Sequence, residues 1–340
     1  MPALPFTRLS FISPPGSSYY ISNALVIAKR VALGLEDPVR IEFEGEWAKG
    51  NPLFDWYQRH SSTPIESMQL RKEKKAPFFH EYVTFRLSDG SCFRIDRRQL
   101  PNERYPMCCT QREGVEAYDT IEEITDMEDS MYNPSDCLVQ VDFTTDVELN
   151  LIIVICRAIY ERPDTRNYTV QRYNCYFYSQ TVVMFTLCTV YDWDEYFIWG
   201  PRDLEQELDD APRVGMPLAV LDKDPDISIK ISNKRHQTQA RILINPTKSN
   251  HEPVPDAQKT IVRKNTLEIL RDTPKSSRSC SMQELGIGDL QSYLSDMIRA
   301  HCIRVEQYRF LLRCSASEVE RGIKLAMDFK YIGPLIYGGK

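Results

Sequence analysis

Two helices with no water-facing side constrain this chain more than any other feature. The segment Val147 to Glu161 places Leu149, Leu151, Ile152, Ile153, Val154, Ile155 and Ile159 on nearly every side of a helix. The run Thr181-Val182-Val183-Met184-Phe185-Thr186-Leu187 belongs to a second apolar helix, which opens at or just after Cys175 and extends to about Val190. A helix that is apolar all round must be buried, and 340 residues suffice for a large core in one elaborated domain or two. With 42% apolar and 26% charged residues the balance is that of a globular protein. A net charge of -6 argues against a nucleic-acid footprint. No apolar run reaches the ~18 residues of a membrane span, and Met1-Pro2-Ala3-Leu4-Pro5-Phe6 lacks the pattern of a secretory signal. The ten cysteines therefore read as reduced thiols of a cytoplasmic protein. Cys108-Cys109, adjacent in sequence, is the one close pair, so neither zinc nor another cofactor is expected.

In chain order, Met1 to Ser18 reads as irregular, Tyr19 to Leu35 as a helix stopped at Gly34, and Val39 to Phe43 as a short strand. Gly45 to Lys75, with Trp47, Trp56 and His60, reads as polar and irregular. Phe78 to Arg98 is the clearest hairpin, turning at Ser88-Asp89-Gly90-Ser91. An odd loop, of three residues with Gly90 at positive φ, groups Val83, Phe85 and Leu87 with Phe93 and Ile95; an even loop would bury charge. His80, Tyr82, Thr84, Arg86, Cys92, Arg94, Asp96 and Arg98 then share the polar face, with His80 at the strand end. Pro101 to Asp136 reads as an acidic insertion or lid, with Glu122, Glu123, Asp126, Glu128 and Asp129 solvated. Cys137 to Phe143 is a strand, Thr144-Thr145-Asp146 offers a helix cap, and Arg162-Pro163-Asp164 stops the first apolar helix.

Beyond the cysteine helix, Trp193, Tyr196, Phe197 and Trp199 read as core, and Asp203 to Asp210 as an acidic helical turn. Ile227–Ile231 and Ala240–Ile244 form a second hairpin around His236, and Asn245 to Gln258 is a linker. The last 80 or so residues read as helical. There Leu290, Leu294, Met297, Ile298, His301, Val305, Tyr308 and Leu312 make one stripe, and Ser315-Ala316-Ser317-Glu318 is a capping box. The chain divides into 1–75, 76–200, 201–258 and 259–340.

Cys175 is the candidate nucleophile. It follows Arg172-Tyr173-Asn174 and stands on the first turn of its helix, where unbonded N–H groups and the helix dipole favour a thiolate. Cys156 and Cys188, in mid-helix, read as inert packing thiols. A packed thiol remains the alternative for Cys175 as well. Among five histidines His80 is the best base by elimination, against the alternative of a residue that merely ends a strand. Arg86, Arg94, Arg97 and Arg98 could bind an acidic group but read as a solvated sheet face.

His80-Glu81-Tyr82-Val83 and, farther on, Tyr173-Asn174-Cys175-Tyr176-Phe177 together resemble circularly permuted NlpC-type papain-like proteins, among them the lecithin retinol acyltransferase-like enzymes. The resemblance covers about residues 78–190. It implies an α+β fold in which an antiparallel sheet packs on the helix bearing the cysteine, here with an extra C-terminal helical region. It also implies a catalytic set of Cys175, His80 and a third polar residue. Family members often carry a second histidine about a dozen positions on; Cys92 holds that slot here, and Asp96 is the nearby carboxylate. The hairpin register pairs Asp96 with Thr84, about 13 Å along the strand from His80. Asn174, Tyr82 and Gln180 would form the oxyanion site and its walls. The activity implied is a thiol hydrolase (peptidase, amidase or esterase) or an acyltransferase, working on a peptide, amide or ester through a thioester. A deamidase would use the same residues. The competing expectation is an inactive protein-interaction module on the same scaffold.

Overall fold

The structure is a computed structural model that describes residues 24–74, 79–128, 133–191, 241–244, 283–285 and 287–327. The hairpin lies at its centre. Strands β3 (Glu81–Leu87) and β4 (Cys92–Gln99) pair antiparallel, with Val83 opposite Ile95 and Phe85 opposite Phe93. The loop has the expected three residues: the Leu87 N–H donates to the Ser91 carbonyl at 2.9 Å. Gly90 takes φ +92°, a conformation that costs little without a Cβ.

The other strands are β1 (Val39–Arg40), β2 (Ile65–Glu73), β5 (Val115–Ile124), β6 (Ser135–Val147), β7 (Asn167–Tyr168), β8 (Arg241–Ile244) and β9 (Gln283–Leu285). They join in one nine-stranded sheet of order β1-β5-β4-β3-β2-β6-β8-β9, with β7 on β5. Every pairing is antiparallel. Strands β2 to β5 form a meander, and the chain then crosses the sheet to lay β6 beside β2. All four sequence segments contribute strands to this single sheet.

The helices are α1 (Ala24–Leu33), α2 (Pro52–His60), α3 (Leu149–Glu161), α4 (Pro163–Arg166), α5 (Cys175–Tyr191), α6 (Ile287–Gln307), α7 (Arg309–Leu312) and α8 (Ala316–Ala326). Helix α5 packs on α3 and on β2, β3 and β4. Its residues Phe177, Val182, Val183, Phe185 and Leu187 join Met68, Leu70, Val83, Phe85, Phe93, Ile95 and Ile152 in the core. Both apolar helices are buried, and α5 starts at Cys175 as its sequence implies. On the C-terminal stripe Leu290, Leu294, Ile298, His301, Val305 and Leu312 are buried, while Tyr308 is 59% exposed. The capping box at Ser315 and Glu318 is formed.

The opposite face of the sheet is polar yet buried. It carries Ser67, Gln69, Arg71, Glu73, Tyr82, Thr84, Arg94, Asp96, Arg98, Thr120 and Glu122. Part of its cover comes from the crossover between β5 and β6. Ser67 donates to the Met127 sulfur (3.2 Å), Thr84 to the Met127 carbonyl (3.3 Å) and Asn133 to Glu73 (2.7 Å). Helix α1 adds Arg30, 3.2 Å from Glu122.

This buried polar face explains where sequence pattern misleads. Residues 65–73, expected to be irregular, form the central strand β2. A bulge between Ile65 and Ser67 shifts the alternation, and the strand's polar side faces other charges rather than water. Residues 52–60 form α2, capped by Asn51. Val115–Ile124 is a strand within the supposed lid, so Glu122 is buried, not solvated. The arginines Arg94, Arg97 and Arg98 are likewise buried, whereas Arg86 is more open and pairs with Glu66. Thr144–Asp146 continues β6, and α3 starts after Glu148 without a side-chain cap. Strand β1 is shorter than expected. Strand β8 has β6 on one edge and β9 on the other, and the segment expected to pair with it is Ile227–Ile231. That segment lies outside the described residues, as do the aromatic cluster after Tyr191, the acidic turn after Asp203 and His236.

Arg94 ties this face together, reaching Asp96 at 2.6 Å and Glu73 at 3.1 Å with its guanidinium 3.6 Å from the Tyr82 ring centre. Replacing Arg94 with Ala leaves buried carboxylates short of a counter-charge, and the expected cost is about 3–5 kcal/mol in urea unfolding. A loss below about 1 kcal/mol would show that the cluster contributes little net stability.

Candidate active site

The approach to α5 is built by short side-chain-to-backbone bonds. Thr169 Oγ1 accepts from the N–H groups of Arg172 (3.2 Å) and Tyr173 (3.0 Å), folding the turn before the helix. Asn174 is the N-cap: its Oδ1 accepts the Phe177 N–H at 3.1 Å, and its Nδ2 donates to the Val170 carbonyl at 2.7 Å. Cys175 is therefore the first helical residue, and its amide is one of the N–H groups for which the helix supplies no acceptor.

The histidine strand meets this helix start through Tyr176, whose hydroxyl donates to the Phe79 carbonyl at 3.1 Å. The residue after the cysteine is thus bonded to the residue before His80. Phe79 itself has φ +44°, an uncommon conformation for a residue with a Cβ and one that recurs at functional sites. Gln180 donates to Glu81 at 3.0 Å, and Lys72 lies 3.0 Å from the other Glu81 oxygen, which secures the same junction one turn deeper.

His80 Nε2 is hydrogen-bonded to Asp96 Oδ1. Here the structure corrects the expected register. Because Val83 opposes Ile95, continuation of the pairing puts Asp96 across from Tyr82, diagonal to His80 and not beside Thr84. Diagonal cross-strand side chains are within reach of one another. The second Asp96 oxygen accepts from Arg94 and from Arg98 Nε at 2.8 Å. Burial opposes ionisation of Asp96, but Arg98, His80 and Arg94 outweigh it and hold the carboxyl well below its usual range.

Burial likewise acts to lower the His80 pKa. The Asp96 carboxylate and a charge on Cys175 act in the other direction, and the balance lifts it to about 9. His80 is thus held as an imidazolium at neutral pH. Cys175 is 4% exposed and His80 9%. The mid-helix thiols of Cys156 and Cys188 are pushed up to about 12 by burial, which makes them poor nucleophiles.

Three of the expected site residues are hydrogen-bonded to other parts of the junction. Asn174 spends its Oδ1 on the helix cap, while its Nδ2 donates to the Val170 carbonyl and lies 3.2 Å from His301 Nε2. Tyr82 lies nearly parallel to His80, with ring centres 6.4 Å apart, and donates its hydroxyl to Ser135 at 2.8 Å. Gln180 is committed to Glu81. Residues that the sequence did not single out as site residues are Phe79, Tyr176 and, from the C-terminal region, His301. His301 Nε2 lies 2.8 Å from the Gln171 carbonyl, to which it donates, and its ring is 5.2 Å from that of Tyr176. Burial brings its pKa down to about 4, so it is neutral at physiological pH. Tyr176 adjoins Cys175 in sequence, but nothing in the pattern pairs either residue with α6.

Among the described residues no group of three His, Cys, Asp or Glu side chains could hold a metal ion, and no helix is long and apolar enough to cross a membrane. A cavity of about 440 Å³ lined by Ser67, Gln69, Arg86, Asp126, Met127, Glu128 and Gln140 lies on the polar face, away from Cys175. No protein-family model, no curated protein and no solved structure matches the chain.

The raised His80 pKa fixes the sign of a pH effect. The folded state binds the proton more tightly than an unfolded chain with a pKa near 6.5, so this stabilisation is complete below pH 6.5 and fades as pH rises through about 9. Urea midpoints should fall over that window in the wild type and fall less in His80→Gln. Equal slopes in the two proteins would exclude the shift.

Proposed function

We propose that this chain is a thiol hydrolase or acyltransferase acting on amides or esters from a permuted papain-like core, with Cys175 as nucleophile, His80 as acid and base, and Asp96 as the group that orients and charges His80. One observation carries the reading: the Tyr176–Phe79 bond draws the start of the cysteine helix to the end of the histidine strand, where Asp96 already holds the imidazole. A pairing of thiol, imidazole and carboxylate from three elements is the arrangement such chemistry uses.

In the proposed cycle the Cys175 thiolate attacks the substrate carbonyl carbon and forms a C–S bond. The Cys175 amide, at the positive end of α5, stabilises the oxyanion. The C–N or C–O bond then breaks, and the His80 imidazolium delivers its proton to the leaving group, giving a thioester. Water gives a proton to His80 and attacks the thioester carbonyl, and breaking of the C–S bond releases the acid and restores the Cys175 thiolate beside the His80 imidazolium. An amine or alcohol in place of water gives transfer. The reading places the reaction in a reducing compartment such as the cytoplasm, where the thiol stays available.

The low exposure of Cys175 and His80 favours a second reading, an inactive interaction scaffold in which the pair is only packed. Iodoacetamide at mildly acidic pH separates the two. An active site gives selective alkylation of Cys175 ahead of the other nine thiols, with a rate that falls on the order of a hundredfold in His80→Gln and less in Asp96→Asn. Uniform labelling, or none at Cys175 in the folded protein, supports the scaffold.

A further inference from the structure

The ring of Tyr176 links the candidate nucleophile to a cationic pair. Lys72 Nζ lies 5.0 Å from the ring centre and the Arg304 guanidinium carbon lies 5.2 Å from it. The two cations are answered differently. Lys72 has Glu81 at 3.0 Å. Arg304 has no carboxylate partner among the described residues, and its Nε is buried without a hydrogen-bond acceptor. Glu306, two positions along α6, is taken by Arg309 at 3.2 Å and by the Ala316 N–H at 2.8 Å. The neighbouring His301 is neutral, and Arg304 and Lys72 both help to keep it so. Arg304 and Lys72 are only partly buried, and both bring their charged ends over the tyrosine ring.

Resting on the function proposed above, we propose that Arg304, assisted by Lys72, forms an anion subsite beside Cys175, so that the acyl substrate carries a carboxylate close to the carbonyl attacked. An unanswered guanidinium offers several donors in a fixed fork that matches a carboxylate, and its place over the Tyr176 ring, 5.2 Å from the centre, sets where that fork stands. The acyl carbonyl would lie at the helix start and the carboxylate across the Tyr176 ring. Helix α6 would then contribute specificity to a site whose proposed chemistry resides on α5 and the sheet.

Iodoacetate and iodoacetamide test this, being alkylating agents of similar size that differ by one negative charge. The reading is the ratio of their rates at Cys175, which cancels differences in thiol reactivity. Arg304→Gln should lower the iodoacetate-to-iodoacetamide ratio on the order of fivefold, as loss of one nearby charge in a part-solvated site implies, and Arg304→Lys should restore most of it. Should the Gln variant not fold, Arg304→Met, which keeps an apolar stem on Tyr176, takes its place with the same expected ratio. An unaltered ratio in a folded Gln or Met variant overturns the subsite while leaving the Cys175–His80 reading intact. Failure of both reagents to modify Cys175 removes both proposals, whereas modification by iodoacetamide but not by iodoacetate overturns the subsite alone.

Discussion

The structure depends on a cluster of charges held out of water on one face of the sheet. Asp96 is at its centre, fully buried, with His80 on one oxygen and Arg94 and Arg98 on the other. Glu73 answers the same two arginines, and Glu122 lies between Arg94 and Arg30. A single charge in such a place would cost several kcal/mol. It is tolerable here because each group supplies the counter-charge for another and most of the donors and acceptors are used. The cluster also draws distant parts of the chain together, since its members come from α1 and from β2, β4 and β5, with His80 just ahead of β3.

The pH behaviour of the histidine follows from the same cluster. An isolated buried imidazole loses its proton more readily, as His301 does. His80 goes the other way because the Asp96 carboxylate and a charge on Cys175 outweigh both burial and the repulsion of Arg98. Two histidines stand on either side of the same helix start, one held charged and the other neutral. Their difference is set by which carboxylates and cations surround them, not by depth alone.

The junction at Cys175 joins the two faces of the sheet. Helix α5 belongs to the apolar face and packs through Phe177, Val182 and Phe185, whereas Asp96 belongs to the polar face. The start of α5 is tied to the histidine strand at the sheet's end, where β2 stops and β3 begins and Tyr176 reaches the Phe79 carbonyl. The C-terminal helices close that end as well, through the contacts of His301 with Gln171 and Tyr176. A helical extension that looked separate in sequence is thus part of the scaffold around the thiol.

The sequence by itself determined the apolar helices, the start of α5 at Cys175, the three-residue turn at Gly90 and the capping box at Ser315, because each follows from a few neighbouring residues and their period. It determined the sides of the hairpin but misplaced Asp96 along it, since parity fixes a face without fixing the pairing by steps of two. The tertiary structure alone decided that β2 is central and that Glu122 is buried, because charged residues in sequence look solvated until their partners, tens of residues away, are brought beside them. It alone decided, too, that His301 stands beside Tyr176, for that contact joins segments that no local periodicity connects.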